Sequence, residues 1–297
     1  MKKIIYILIT MFLIVTVSNG QLKIEINNNM QVETTGGVYI SGASDVTENG
    51  TGYLKGKVES SSLSGATQFA GLTLGTGFTG TITRTTGTAF STGSPKTTLR
   101  NYEMSASSAT TQDVSVNLVN SGSNDETNGI EEKFVYTENA STWKGYSDNN
   151  STSSLIKAAS VDIPSGTSNI TVAEGVGLAA KIYLEGPYQS GGTMTDNLGT
   201  LPSLSPYSDA LRTASTIPAN AVDWVLLEIR TGTAASTTVG YRSAFVDVNG
   251  MIINDAGATT GVGMPGIGGT NYYIIVKHRN HLGVMSSSAQ TLSWITP

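Results

Sequence analysis

The sequence predicts an all-β fold made of antiparallel β-sandwich modules, two in tandem. Charged residues are only 13% of the 297 residues. Because a typical soluble domain carries about 25% charged residues, long charged helices are disfavoured. Short apolar or alternating runs recur between clusters of Gly, Asn, Ser and Thr, as in proteins built from many strands. Hydrophobic residues still reach 38%, so the chain has enough apolar surface for packed cores.

The first twenty residues predict a secretory signal peptide. Lys2 and Lys3 precede an apolar run from Ile4 to Val17, and the small residues Ser18 to Gly20 precede the expected cleavage point. In a helix this run would span about 21 Å, less than the roughly 30 Å core of a bilayer, so cleavage is favoured over anchoring. We expect an exported protein without a transmembrane anchor, at the cell surface or outside the cell, with the periplasm left open.

Residues 21–172 are predicted to form a β domain rich in Gly, Thr and Ser. The alternation of Val114, Val116 and Leu118 with polar residues indicates a strand with one wet face. The strand candidates of this region are Leu22–Ile26, Val38–Ile40, Tyr53–Val58, Ile82–Arg84, Leu99–Met104, Val114–Val119 and Phe134–Tyr136.

Residues 173–297 are predicted to form a second β-sandwich, after a boundary near 164–176; the alternative is one continuous sandwich with a long loop. Asn249-Gly250 favours a type I′ hairpin turn. Pro206, after a possible N-cap at Ser205, predicts one short helix over residues 207–213. The strand candidates are Leu178–Leu184, Val222–Arg230, Thr238–Val246 and Tyr272–Lys277.

The composition excludes much covalent and metal chemistry. With two His and no Cys, the chain has no disulfides, thiol nucleophiles or cysteine-held metal clusters. Two Gly-x-Gly-x-x-Gly matches, starting at Gly75 and Gly261, are interpreted as turns because neither opens a helix that would hold a pyrophosphate. The net charge of −5 disfavours nucleic acid as a partner.

Two groups of residues are candidate metal ligands. His278 and His281 could share a divalent ion if a turn lies between them, since residues three apart on a strand face opposite ways. Asp247, Asn249 and Asp255 surround the predicted hairpin and offer oxygen ligands for Ca²⁺. Turn chemistry explains the same residues without a metal, and no cofactor is expected.

A glycosidase needs only two carboxylates, placed on either side of the bond that it cleaves. Asp223 and Glu228 lie near the two ends of the apolar run Val222–Arg230, which predicts a buried strand. We interpret Asp223 as a partner of Arg242 or of a backbone N–H group, and Glu228 with Arg230 as a surface pair. No Gly-x-Ser-x-Gly nucleophile elbow is present, so the sequence indicates no enzyme.

Aromatic residues in or beside polar loops are the candidate ligand-binding residues. Trp143, Tyr146, Tyr188 and Tyr207 could stack on sugar rings, although a loop aromatic often serves as a lid on the core. Trp224 lies in an apolar strand and is expected in the core.

Part of the second module resembles a known family. The segments that carry the resemblance are Tyr183–Tyr188, Leu204–Tyr207, Val222–Arg230, Arg242–Ala244, Asn271–Tyr273 and His278–Met285. Over about residues 176–290 the chain is similar to a module that recurs in large secreted or cell-surface proteins of the Bacteroidota. Those proteins are often hemagglutinin-like or adhesin-like, and many look like cargo of type IX secretion.

The resemblance implies a surface or secreted role and brings no catalytic residues. Such cargo usually continues into a C-terminal sorting domain, whereas this sequence stops at Pro297, which implies another route, a truncated chain or a short member. We therefore expect a non-enzymatic protein acting in adhesion or in matrix or glycan contact. Its partner would be an extracellular glycan, a surface protein or itself. The alternatives are a subunit that self-assembles by edge pairing into a filament or layer, and a secreted carbohydrate-active enzyme.

Overall fold

The structure is a computed structural model that describes most of the chain beyond residue 51 and short segments before it. The described residues are 14–18, 21–26, 31–33, 38–40, 45–48, 52–60, 62–65, 67–90, 95–119, 125, 132–146, 151, 154–257 and 261–295.

Strands are the dominant structure of the described residues, and the predicted all-β fold is confirmed. They contain no α-helix, only two single-turn 3-10 helices at Ser208–Ala210 and Ala235–Thr237. The strands before residue 175 are β1 (Ile14–Ser18), β2 (Gln21–Ile26), β3 (Gln31–Glu33), β4 (Val38–Ile40), β5 (Asp45–Glu48), β6 (Tyr53–Ser60), β7 (Leu63–Ser64), β8 (Thr67–Phe69), β9 (Leu72–Leu74), β10 (Thr79–Thr86), β11 (Thr97–Ala106), β12 (Thr110–Asn117), β13 (Lys133–Asn139), β14 (Thr142–Gly145), β15 (Leu155–Ile163) and β16 (Gly166–Glu174). The later strands are β17 (Val176–Leu178), β18 (Tyr188–Gln189), β19 (Thr193–Met194), β20 (Ala221–Arg230), β21 (Thr238–Asp247), β22 (Ile252–Ile253), β23 (Val262–Met264), β24 (Asn271–His278), β25 (His281–Met285) and β26 (Gln290–Thr291).

The first sandwich consists of two packed sheets. A nine-stranded sheet has the order β14-β13-β16-β11-β10-β6-β3, with β4 beside β6 and β7 beside β10, and a four-stranded sheet has the order β15-β12-β9-β8. Their facing side chains form one apolar cluster, to which Ile82 and Tyr102 come from the larger sheet and Leu72 and Val116 from the smaller. The alternation along β12 is confirmed, since Val114 and Val116 are buried while Asn117 is exposed.

The predicted leader lies mainly outside the described residues, which begin at Ile14. Its described part, β1, pairs antiparallel with β2, and β2 pairs in parallel with β5. The signal peptide and its cleavage therefore stay a prediction.

The second sandwich is centred on a six-stranded sheet of order β22-β21-β20-β24-β25, with β26 beside β24. One face packs against the small β17–β23 sheet, where Val225 and Leu227 meet Val176 and Met264. The loop between β19 and β20 covers part of the other face, and Trp224, fully buried as predicted, packs there against Phe245.

Two local predictions in the second sandwich were wrong. In place of a helix over residues 207–213, only Ser208–Ala210 form a 3-10 turn. The segment folds back on itself, because Ser205 N–H donates to Arg212 O at 2.8 Å, and Ala210 is the only residue of the turn that is buried. Without an apolar face, a helix has nothing to pack against the sheet.

The second wrong prediction is a strand over Leu178–Leu184, because the ladder ends at Leu178. Beyond that residue the chain runs beside the turn that joins β21 and β22, which offers only isolated bonds. One of them is Ile182 N–H to Gly250 O at 2.8 Å.

The predicted hairpin over residues 247–253 is present with a different turn. Its loop has four residues, Val248 to Met251, and only Gly250 in it has a positive φ, of +80°. A type I′ turn needs positive φ at two central residues, so the Asn-Gly pair does not form one here.

A fourth apolar cluster joins the two sandwiches. Phe134 and Tyr136 of β13 pack with Ile267 and Trp294 from the second sandwich, and Tyr136 Oη donates to Gly266 O at 2.9 Å. Gly175 lies at this junction, where a Cβ would fall 2.5 Å from the Phe134 ring. The placement of a domain boundary at residues 172–173 stays a prediction.

Candidate functional site

The two histidines meet at the tip of a hairpin. Arg279 and Asn280 form the turn between β24 and β25, which makes His278 and His281 a cross-strand pair. Their Nδ1 atoms lie 2.7 Å apart, and His278 Nε2 lies 3.1 Å from Asp223 Oδ2. The turn that would let both histidines bind one metal ion is therefore present. However, their two Nδ1 atoms face each other and form a hydrogen bond, so neither is available to a metal.

The hydrogen-bond network assigns the tautomers of both rings. Ionised Asp223 only accepts, so His278 carries its proton on Nε2 and its Nδ1 accepts from Nδ1–H of His281. The Asp223 carboxylate also accepts from Arg279 Nη2 at 2.8 Å and from Trp224 N–H at 2.7 Å. When the His281 ring is neutral, this chain of bonds leaves its Nε2 as an acceptor.

Burial lowers the pKa of His278 below its ordinary value of 6.5. The neighbouring Asp223 carboxylate opposes this shift, whereas His281 and Arg279 add to it. The neutral ring is therefore the form that the fold favours, in agreement with the role of its Nδ1 as an acceptor.

A groove of about 410 Å³ opens beside this hairpin. Buried Leu184 and Val276 contribute apolar side chains to it, and its polar groups are a carboxylate, an amide and imidazoles. The residues that line it are Ile182, Tyr183, Leu184, Glu185, Val276, His278, Asn280, His281, Leu282 and Val284.

One tyrosine ring, Tyr183, lines this groove, and a second, Tyr188, packs against it. Tyr183 is 40% exposed and Tyr188 48% exposed, and their ring centroids lie 5.3 Å apart in an edge-to-face arrangement. Tyr183 is fixed on several sides, because its Oη donates to Gly192 O at 2.9 Å and Lys181 Nζ lies 5.1 Å from its ring centroid. The turn at Gly250 also packs on this ring, where a Cβ would approach to 3.0 Å.

The four predicted aromatic ligand-binding residues do not form one site. Tyr188 contacts the Tyr183 ring edge-on but does not itself line the groove just described. Tyr207 is half-buried and donates from Oη to Trp224 O at 3.0 Å, and burial raises its pKa to about 12. Trp143 packs edge-on against Phe90, with ring centroids 5.5 Å apart, at the junction of the two sandwiches.

Tyr146 lies beside a second, more open cleft of about 870 Å³ in the first sandwich. Its ring is only 5% exposed, and its Oη lies 3.2 Å from Thr137 Oγ1. Lys144 and Asp162 form an ion pair at the same cleft. Tyr146 is thus a lid on the core more than a stacking surface, and it stands apart from Trp143.

The predicted oxygen ligands have structural partners. Asp247 Oδ1 accepts from the backbone N–H groups of Asn249 at 2.9 Å and Met251 at 2.8 Å, which fixes the turn. Asp255 forms an ion pair with Arg212 at 2.8 Å. In the part of the chain that the structure describes, no three His, Asp or Glu side chains come together as a metal-binding group.

The interpretation of these two carboxylates is right in part. Asp223 does accept from a backbone N–H group, that of Trp224, but its charged partners are His278 and Arg279, while Arg242 reaches Glu132 of the first sandwich at 2.6 Å. Glu228 does pair with Arg230, at 2.5 Å, but its carboxylate is fully buried and not on the surface.

Glu228 is held as an anion inside the sheet. Burial alone would raise its pKa, but hydrogen bonds from Arg230, Lys277 and Thr238 together lower it to about 2. A carboxylate so fully engaged is unsuited to proton transfer near neutral pH.

Comparisons with known proteins identify no relative: no family model, no curated protein and no solved structure matches the chain. Among the described residues, no helix has the length and apolar character needed to cross a bilayer.

Sequence reasoning missed Tyr183, Glu185 and Asn280 as groove residues. Each was inside a quoted segment, but the groove forms only when residues 182–185 come to lie beside β25, nearly one hundred positions later in the chain. No local pattern signals such a contact.

Proposed function

We propose that the protein is an exported, non-enzymatic contact protein of the cell surface or extracellular space that binds glycans in the groove beside Tyr183 and Tyr188. The observation that carries the proposal is the pair of exposed, edge-to-face tyrosine rings, one of which, Tyr183, lines a groove with both apolar and polar side chains. Export is supported by the leader pattern and by the resemblance to modules of secreted Bacteroidota proteins.

The chemistry of the groove suits a sugar ring. The C–H face of a pyranose is apolar and stacks on a tyrosine ring, while its hydroxyl groups need donors and acceptors at the edge. Glu185 supplies acceptors, Asn280 supplies both kinds of group, and the assigned tautomer of His281 supplies an acceptor at Nε2. Because Tyr183 is already fixed by Gly192 and Gly250, little ordering of that ring is needed on binding.

The test is a glycan array probed with the purified protein and with the double variant Tyr183→Ala/Tyr188→Ala. We expect binding to fall about tenfold or more, since an aromatic contact contributes roughly 0.5–1.5 kcal/mol. Tyr188→Phe, which keeps the ring, should retain binding. Leu198→Ala is the matched surface control, because Leu198 is 53% exposed in a loop that does not line the groove.

Unchanged array signals in the double variant would contradict the proposal. A second decisive outcome is turnover: if a bound glycan were hydrolysed and Glu185→Gln abolished the reaction, the groove would be an active site and the protein an enzyme.

A further inference from the structure

The groove beside the β24–β25 hairpin carries three polar groups that have no partner among the described residues. The Glu185 carboxylate and the Asn280 side-chain amide are in exposed residues, and neither forms a hydrogen bond or ion pair within that part of the chain. The third group is Nε2 of His281, because the described contacts of this ring engage only Nδ1. All three groups are therefore available to a ligand.

The backbone fixes which nitrogen of His281 carries the proton. Asn280 N–H donates to Nδ1 of His278 at 3.3 Å, and a backbone N–H group can only donate, so this nitrogen carries no proton. Nδ1 of His281, 2.7 Å away, must then donate to it. Asp223 requires the same arrangement from the other side, since its carboxylate accepts from Nε2 of His278. In its neutral form, His281 thus has a bare Nε2 that can only accept.

Aliphatic side chains form the groove wall next to these polar groups. Leu282 is 94% exposed and Val284 55% exposed, and both line the groove together with buried Val276. Covering such side chains with an apolar group of a ligand removes them from water and favours binding. A plain hexose presents mainly hydroxyl groups around its ring, so it leaves this part of the wall uncovered.

We propose that the groove selects sugars that carry an acetamido group, with His281 as the residue that recognises this group; the inference rests on the glycan binding proposed above. The amide N–H of the acetamido group donates to Nε2 of His281, and its carbonyl oxygen accepts from the Asn280 side chain. Its methyl group covers Leu282 and Val284. The sugar ring stacks on Tyr183.

Acid should weaken this recognition. A proton added to neutral His281 goes to Nε2, because Nδ1 already carries one, and Nε2 then donates where it accepted before. The N–H of an acetamido group cannot accept, so two N–H groups would face each other. A hydroxyl group can turn and accept instead, so a sugar without the acetamido group keeps its hydrogen bond. Loss of affinity in acid is therefore specific for acetamido ligands.

Several charged or titratable groups surround His281. They are His278 on β24, Asp223 on β20, Arg279 in the hairpin turn, and Tyr183 and Glu185 across the groove, with Lys181 beside the Tyr183 ring. Asp223 is held by three donors, whereas Glu185 has no partner in the described part of the chain. Protonation of Glu185 must therefore be separated from that of His281 in any test.

The first experiment compares two trisaccharides, the trimer of N-acetylglucosamine and the trimer of glucose, which differ only in the substituent next to the anomeric carbon. Calorimetry at pH 8 should show that the acetamido trimer binds about tenfold tighter, because it adds a hydrogen bond and covers the aliphatic wall. Leu282→Ser should reduce this preference. Leu198→Ser is the matched control, since Leu198 is 53% exposed and does not line the groove. Equal affinities, or tighter binding of the de-acetylated trimer, would overturn the proposal.

The second experiment measures both affinities at pH 8 and at pH 5.5, which bracket the range in which histidine side chains titrate. The affinity for the acetamido trimer should fall several-fold in acid, whereas that for the glucose trimer should change little. His281→Gln, whose side-chain oxygen accepts at either pH, should abolish the fall, and Glu185→Gln should not. A fall that persists in His281→Gln and disappears in Glu185→Gln would assign the effect to the carboxylate and contradict the role of His281.

Nuclear magnetic resonance of the free protein tests the tautomer without a ligand. Because the chain has only two histidines, their two-bond proton–nitrogen correlations can be assigned with His281→Gln. A neutral His281 that carries its proton on Nε2 would overturn the inference.

The outcomes separate this inference from the proposed function. Array binding that depends on Tyr183 and Tyr188 but shows no preference for acetamido sugars would remove the inference and leave the groove a glycan site. Absence of any glycan binding would overturn both.

Discussion

The two sandwiches distribute charged and apolar groups in opposite ways. The first buries a cluster of four charged side chains, Glu48, Arg84, Arg100 and Asp125, each at most 4% exposed. The second places aliphatic side chains of β25 in solvent. Both arrangements are costly in isolation: buried charges must pair with each other, and exposed aliphatic side chains remain in contact with water.

The buried cluster connects distant parts of the first sandwich. Arg100 Nη2 lies 2.6 Å from Glu48 Oε2, and Arg100 Nε lies 2.8 Å from Asp125 Oδ2. Burial tends to raise the pKa of Glu48, but Arg100 and Arg84 lower it overall, whereas burial dominates at Asp125 and raises its pKa. The cluster thus holds β5 and the segment at residue 125 onto the β11 strand.

The largest loss of stability is expected when the side chain at the centre of this cluster is removed. Arg100→Ala should lower the free energy of unfolding by about 3–5 kcal/mol, because it leaves two carboxylates buried without their main partner. Lys144→Ala is the matched comparison, since Lys144 and Asp162 are 56% and 54% exposed, and should cost at most about 1 kcal/mol. Urea denaturation of both variants measures the difference. Equal losses would show that the buried cluster has no special structural role.

A loss of stability of intermediate size is expected on acidification, because of His278 in the second sandwich. The folded state holds the pKa of His278 below 6.5, so the unfolded state takes up the proton first as the pH falls. Stability should therefore be complete above about pH 7 and decline as the pH falls through 6.5, until the folded pKa is also passed. Thermal unfolding between pH 7.5 and 5 measures this decline, and His278→Gln should reduce its slope. A melting temperature that rises on acidification over this range would refute the assignment.

The smallest effect on folding is expected on β25. Leu282→Ser removes an aliphatic side chain that is 94% exposed, so the unfolding free energy of the monomer should change by less than about 0.5 kcal/mol. Chemical denaturation at low protein concentration tests this. A large loss would mean that Leu282 belongs to the core, and the contrast between the two sandwiches would disappear.

The sequence predicted the strands better than the surfaces. The apolar runs of β20, β21 and β24 lie within one or two residues of their predicted bounds, because burial on both faces leaves a continuous signal. The helix at residues 207–213 failed because a good cap and a Pro at the first position cannot supply a missing apolar face. For Asp223 the backbone donor was foreseen, but the cation was not Arg242, since which of several arginines and histidines comes within reach depends on strand register.

The exposure of β25 could not be predicted from the sequence either. The segment HLGVM has the same alternation as a buried strand, and only its position at the end of the sheet leaves Leu282 and Val284 uncovered. The packing of the Tyr183 ring likewise involves the turn at Gly250, far along the chain.

Trp294 has a mechanical consequence. Its ring touches Tyr136 across the junction, with centroids 6.2 Å apart, and the next residue donates from Ile295 N–H to Gly175 O at 3.0 Å. Tension applied to the chain after residue 295 would therefore load the seam between the sandwiches before it reached the hairpin of β24 and β25. Under pulling, the contacts of Trp294 and Ile295 at this junction would carry the load directly.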